Sequence, residues 1–325
     1  MKILDPGLMT TVQDLGRFGF QQDGIPSSGA MDPQALSIAN TLVGNAANEA
    51  GLELTLKGPT IEFRHDAVIS ICGADLSPEI ADVGLPNWRA IFVMEGTVLR
   101  FGEAVWGCRA YLAVAGGIDV PEIMNSKSTY LRAAVGGFEG RVLRAGDSLA
   151  VGSARTRVAS GARFGPLPFA LAEQRVLPAD AMTLYELNRP VRVLRGPHFD
   201  MFDDRERNVF MKEAFKVSTS SDRMGYRLAG PLLDSSEREE LVSSAVLAGT
   251  VQVPPSGEPI VLMADRQTTG GYPVIGIVAT ADLPRVAQMR PGDDVRFAEV
   301  SLQRAQVALR SQAQRVKELK KEVTT

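Results

Sequence analysis

Short runs of apolar or alternating residues, each bounded by Gly, Pro, Asp or Asn, recur along almost the whole chain. In the first half they occupy 67–72, 90–93, 98–101, 109–115 and 148–152; in the second, 191–195, 249–253, 259–264, 274–280 and 294–300. Runs of this length between turn residues read as β-strands. Helical crossovers between them are missing, so barrels or sandwiches are expected rather than a parallel α/β sheet. Helical periodicity is confined to a few places. Asp32 can cap a helix whose first turn holds Pro33, with Leu36, Ala39, Leu42 and Val43 as its apolar stripe and Gly44 ending it. A second helix is expected over 203–214, with Phe202, Val209 and Phe210 facing inward, and a short one near Asp282. The tail from Ser301 to Val323 has a seven-residue repeat (Leu302, Leu309, Val316, Val323), with Ala305, Gln312 and Leu319 in the companion positions. Such a tail either packs on its own domain or meets a helix of another subunit.

At 325 residues the chain exceeds one ordinary core, and two domains are expected. We divide it into a β lobe at 1–160, a linker region at 161–189, a second β lobe at 190–300 and a helical tail at 301–325. A faint duplication supports two similar halves: an apolar strand leads toward Gly116-Gly117 and again toward Gly270-Gly271, and Arg144-Ala-Gly-Asp147 resembles Arg290-Pro-Gly-Asp293. The 31 Gly and 19 Pro agree with many turns, and a net charge of −3 gives no reason to expect nucleic acid or an anionic membrane as partner. Cys72 and Cys108, the only cysteines, lie in apolar runs and read as reduced core residues. The N-terminus places Asp5 and Pro6 where a signal peptide needs an apolar stretch, and a cytoplasmic protein is expected.

Candidate chemistry concentrates after the run 259–264. There Asp265, Arg266, Gln267, Thr268, Thr269, Gly270, Gly271, Tyr272 and Pro273 follow one another, so a strand end delivers two charges, an amide, two hydroxyls and a Gly pair to one spot. The glycines would permit positive φ and let a ligand approach bare N–H groups. The alternative is a hydrogen-bonded turn at a barrel rim. Several chemistries are excluded by pattern: there is no phosphate-binding P-loop, no dinucleotide fingerprint, no nucleophile elbow, and no His or Cys cluster for a metal. Other polar segments stand out. Thr10 to Arg17 interleaves apolar residues with Gln13, Asp14 and Arg17. Pro26 to Asp32 leads into the first helix, where Asp32 is either a cap or part of an anion site. Ser126-Lys127-Ser128-Thr129 accompanies Gly136-Gly137. His198 ends a strand and is either an acid–base group or a structural histidine. Ser220 to Arg227 brings Arg223, Tyr226 and Arg227 around a Gly-Tyr turn; the arginines either recognise a carboxylate or phosphate or pair with Asp222.

These segments (TTVQDLGR, SGAMD, YLAVAGGIDVP, SKST with GGFEGR, SSDRMGYRLAG and QVPPSGEPIVLMADRQTTGGYP) resemble the KipA family, the C-subunit family of bacterial 5-oxoprolinases, also known as biotin-dependent carboxyltransferase or allophanate hydrolase subunit 2. The resemblance runs from about Ile3 to Val300. Asn125 departs from it, standing where Gly is usual before Ser-x-Ser-Thr, and Ser244 stands where an acidic residue is common. The resemblance implies a mainly β fold of two cyclophilin-like β-barrel lobes with a few short helices, and partners of the KipI and YcsF/LamB types. It implies an ATP-dependent opening of 5-oxo-L-proline to L-glutamate by an assembly whose C subunit is inactive by itself; since no recognised nucleotide motif occurs and the polar segments are spread over both lobes, ATP is expected at a subunit interface. In this reading Gln267, Thr268, Asp265 and Arg223 are catalytic. Arg266, Thr269, Gly270, Gly271, Tyr272, Tyr226 and His198 bind substrate, and no metal is needed. Two alternatives follow from the same resemblance. One is the carboxyltransferase subunit of a biotin-dependent urea or amide carboxylase, although this chain has no biotin-attachment motif. The other is a regulatory protein that antagonises a KipI-like kinase inhibitor.

Overall fold

The computed structural model describes residues 1–154, 165–176, 185–233 and 241–324. It is mainly β and divides into two compact units. One comprises Met1–Arg17, Ser28–Thr183 and Arg315–Thr325; the other comprises Phe18–Ser27 and Leu184–Gln314. The division therefore does not follow a single cut in sequence.

In the first unit six strands form one antiparallel sheet: β1 (Met9–Gln13), β2 (Gly51–Thr55), β3 (Ala67–Asp75), β4 (Arg89–Val93), β5 (Trp106–Val114) and β6 (Phe169–Val176), in the spatial order β6-β4-β3-β5-β2-β1. Strand alternation sorts their side chains. Leu52, Leu54, Ile69, Ile71, Ala110 and Leu112 point into an apolar core shared with Ile3, Ile61 and Leu99 of a second, five-stranded sheet. The opposite face carries α1 (Pro33–Leu42), with Asp32 accepting a hydrogen bond from Ala35 N–H at 3.1 Å. β6 lies in the stretch read as a linker; its Phe169 and Ala170 pair with Val93 and Phe92. Residues 161–164 and 177–184 of that stretch lie outside the described residues.

The second unit holds eight strands: β7 (Val191–Arg195), β8 (Phe215–Val217), β9 (Gly225–Ala229), β10 (Thr250–Gln252), β11 (Ile260–Leu262), β12 (Val274–Val278), β13 (Asp294–Val295) and β14 (Phe297–Glu299). Their order is β13-β8-β9-β11-β10-β12-β7-β14. The first and last strands of that order are separated in the chain by Arg296 alone, so the sheet bends round until its edges nearly meet, which hides both from solvent pairing. Phe210, Phe215 and Phe297 fill one end, with Phe210 and Phe297 stacked at 4.6 Å between centroids. Phe210 belongs to α2 (Asp204–Lys212), which opens with a reciprocal cap: Asp203 accepts from Glu206 N–H, and Glu206 accepts from Asp203 N–H. A short α3 (Leu283–Ala287) follows Asp282.

The C-terminal helix α4 (Leu302–Thr324) turns a different stripe inward from its heptad leucines. Leu302 and Leu309 are exposed, whereas Ala305 and Leu319 are buried and Gln312 Nε2 donates to the Ala281 carbonyl at 2.7 Å. It is thus the companion positions that pack on the protein. No described helix is long and apolar enough to cross a membrane.

Both halves close with the same turn. Asp147 Oδ2 accepts from Arg144 N–H at 2.7 Å and Asp293 Oδ2 from Arg290 N–H at 2.8 Å, with Gly146 and Gly292 at φ +96° and +93°. Each turn docks alike: Gly146 N–H donates to Ile3 C=O and Gly292 N–H to Val217 C=O, both at 2.8 Å.

Candidate functional site

The segment after β11 is held by an ion pair at the mouth of its own sheet. Tyr226 of β9 pairs with Val261 of β11, and the pairing continues beyond the strand ends, where Asp265 N–H donates to Arg223 C=O at 2.8 Å. The two side chains therefore meet one rung further on. Arg223 Nε and Nη2 donate to Asp265 Oδ2 and Oδ1 at 2.9 and 3.0 Å, with both side chains almost wholly buried. Asp265 thus orients Arg223, because adjacent strand ends bring together residues 42 apart. With both oxygens taken by a buried guanidinium, the pair is a brace for the segment.

Beyond the brace the polar groups are less committed. Arg266 reaches Ser27 Oγ and the Met263 carbonyl only through long contacts from Nη1, 3.4 and 3.3 Å, and its Nε has no hydrogen-bond partner. Burial lowers the pKa of this guanidinium. Gln267 Nε2 donates to Gln252 Oε1 at 3.4 Å. Thr269 and Gly270 pair with Ala245 and Ser244 of a short neighbouring strand, and the Thr268 carbonyl accepts from Val246 N–H. Gly270 and Gly271 do not take positive φ, so the first of the two reasons expected for them does not hold. Room is the reason for Gly270: a Cβ there would lie 2.4 Å from Gln252 Nε2.

The remaining expected residues divide. Tyr272 is exposed beside the Gly pair. Tyr226 is buried in the sheet interior with its hydroxyl 3.2 Å from the Ala287 carbonyl, the setting of a core residue. His198 accepts from Val274 N–H through Nδ1 at 3.1 Å, so the ring carries its proton on Nε2 and offers a donor there. Arg227 is exposed, and its N–H donates to Ser221 Oγ.

The first unit contains a polar constellation that sequence reasoning largely missed. Register places Thr11, Glu53, Tyr111 and Cys72 in one row across four strands, on the α1 face. Glu53 Oε2 accepts from Tyr111 Oη and from Met31 N–H, both at 2.8 Å; Asp32 N–H donates to Tyr111 Oη at 2.8 Å; Arg109 Nε lies 3.8 Å from Glu53 Oε1. All are buried. Burial first, then the charges of Glu53 and Asp32, push the Tyr111 phenol well up, and burial with Asp32 does the same to the Cys72 thiol, so both keep their protons. The available signal was a lone charge inside each of two apolar strands, Glu53 and Arg109. Nearby, Asp14 draws two separated motifs together: it accepts from Ser126 Oγ at 2.8 Å, Lys127 N–H at 2.6 Å, Gly16 N–H at 2.8 Å and Ser128 Oγ. Asn125, the departure noted above, sits at φ +60°, a conformation Asn tolerates almost as Gly does. Among the described residues no cluster of His, Cys, Asp and Glu could hold a metal.

Comparison with known proteins places this geometry. Residues 23–299 match the family model "Carboxyltransferase domain, subdomain A and B". The chain is 40% identical over 313 residues to the 5-oxoprolinase C subunit of Escherichia coli, covering 96% of this chain and 95% of that one. It is 39% identical to the corresponding 5-oxoprolinase C subunit of Haemophilus influenzae, covering 93% and 92%. Among solved structures, K. lactis urea amidolyase superposes with a TM-score of 0.85 at 31% identity, over 98% of this chain and 20% of that much longer one. With two β units, a braced and glycine-paired strand exit, and a match along nearly its full length to bacterial 5-oxoprolinase C subunits, the chain belongs to the carboxyltransferase-domain family of subdomains A and B.

Proposed function

We propose that this chain is the C subunit of an ATP-dependent 5-oxoprolinase, acting with KipI-like and YcsF/LamB-like partner subunits in the cytoplasm to convert 5-oxo-L-proline to L-glutamate. One observation carries the reading: the identity to the E. coli 5-oxoprolinase C subunit extends over 96% of this chain and 95% of that protein. We read its two units as cyclophilin-like lobes.

The chemistry gives such a subunit a defined task. A five-membered lactam is a poor electrophile, and phosphorylating its amide oxygen with ATP would make both an electrophile and a leaving group. Negative charge then develops on oxygen, and donors fixed in advance are the means of stabilising it. Gln267, Thr268 and the backbone around Gly270 and Gly271 lie on the braced segment and supply donors; Arg266, held by few contacts, supplies positive charge for a carboxylate or phosphoryl oxygen. Arg223 and Asp265 position this segment. The chain has no nucleotide-binding motif, so we place ATP at a surface shared with a partner subunit.

The test is glutamate formation from 5-oxoproline and ATP by the chain alone, then with both candidate partners. We expect none from the chain alone and stoichiometric ADP and glutamate from the three together; equal turnover when this chain is omitted would refute the proposal. A second reading, a carboxyltransferase subunit of a biotin-dependent urea or amide carboxylase, is favoured by the similarity to K. lactis urea amidolyase. It requires carboxylated biotin from another protein, and a biotinylated partner co-purifying with the chain distinguishes it.

A further inference from the structure

A buried donor without an acceptor sits directly against Gly270. Gln252 closes β10 and is 1% exposed; its Oε1 accepts from Gln267 Nε2, while its own Nε2 has no partner. A dry, unpaired amide donor is destabilising, and an apolar side chain of similar length would fill the position without that cost. Arg266 Nε, one residue before Gln267, also lacks an acceptor. The strand end and the segment above it therefore present more donors than acceptors. The complement is an oxygen acceptor, and a guanidinium among the donors favours an oxygen that carries negative charge. The glycine fits the same account. Its backbone conformation does not demand Gly, but any side chain at 270 would displace the Gln252 amide, whose Nε2 lies 2.4 Å from the Cβ position.

We infer that Gln252 is a ligand-binding residue of this site, its carboxamide N–H donating to a carboxylate or acyl oxygen of the substrate. Gln267 fixes the orientation of that amide and Arg266 supplies the charge. The inference rests on reading segment 265–273 as a binding site.

The experiment uses the full chain with its partner subunits. Gln252→Met keeps the length and removes the donor; Gln252→Glu sets a like charge against an anionic oxygen. We expect KM for 5-oxoproline to rise about tenfold in the first and further in the second, with KM for ATP unchanged in both; the unfolding midpoint should rise in Gln252→Met, which removes the unpaired donor, and fall in Gln252→Glu, which buries a carboxylate. Gly270→Ala should reproduce Gln252→Met. A wild-type KM for 5-oxoproline in Gln252→Met overturns the inference. A second measurement separates it from the proposed function: the side-chain amide NMR signal of Gln252, identified by its loss in Gln252→Met, followed as 5-oxoproline, urea or acetate is added. If the assembly does not turn over 5-oxoproline but this signal moves with urea or acetate, the substrate assignment falls and the Gln252 site stands. If turnover is normal and neither KM nor the signal responds, the Gln252 assignment alone falls.

Discussion

Arg223 and Gln267 look alike in the sequence, two polar residues near Gly-Tyr turns, yet their surroundings give them opposite behaviour. Arg223 is buried against Asp265 with two short hydrogen bonds. Asp265→Ala takes two hydrogen bonds from a buried cation, and we expect a loss of about 3 kcal/mol in urea unfolding, because losing a carboxylate partner of a buried pair is costly. Gln267 is half-buried with one long contact. Gln267→Ala should leave the unfolding midpoint in place and slow lactam opening by the reconstituted assembly about a hundredfold, the usual effect of losing one preorganised donor. Wild-type turnover in Gln267→Ala would remove that residue from the site. The sequence located this segment because polar groups crowd a strand exit, but it gave Gln252, the first residue of the motif that ends in this segment, no role of its own. Only the side chain's placement over Gly270 reveals it.

Among the elements, the paired Arg-x-Gly-Asp turns provide a direct comparison. Gly146 and Gly292 share a left-handed φ near +95°, and nothing lies within 4 Å of where a Cβ would stand on either. Substituting Ala at each should therefore cost only the backbone term, about 1–2 kcal/mol, and the same in both. Gly116 has a similar φ, but its Cβ would fall 2.0 Å from the Gly152 carbonyl oxygen, so Gly116→Ala should cost clearly more. Thermal unfolding of the three variants tests the order. The turns were legible in the sequence because a Gly-Asp pair leaves few conformations. The inward face of α4 was not, since its heptad leucines and their companions recur with the same period, and only contact with the rest of the protein selects the companions.

For the molecule as a whole, pH response follows from the Asp147 carboxyl. Arg141 donates to both its oxygens, and with help from Arg144 N–H this holds the group below the ordinary carboxylate range. A depressed folded-state pKa contributes stability that is complete above the unfolded value, near about 3.9, and is lost as pH falls through the lower folded value. The unfolding midpoint should therefore decline below about pH 4, and Asp147→Asn should weaken the protein at neutral pH while flattening that decline. An unchanged acid limb in Asp147→Asn would show that other carboxylates set it.

By itself the sequence determined the mainly β character, the positions of many strands (but not β1, β2, β6, β8 or β9), the capped first helix and the strand exit at 265–273. These depend on short-range chemistry: alternation, turn residues and caps act within a few positions of one another. Only the tertiary structure decided that Asp265 answers Arg223, that Tyr226 and Tyr111 are buried, that Glu53 and Arg109 meet within a sheet, and that Gln252 lies beneath Gly270. Each of those depends on which strands become neighbours and in what register, a choice fixed by burying the apolar faces together and not by any local run of residues.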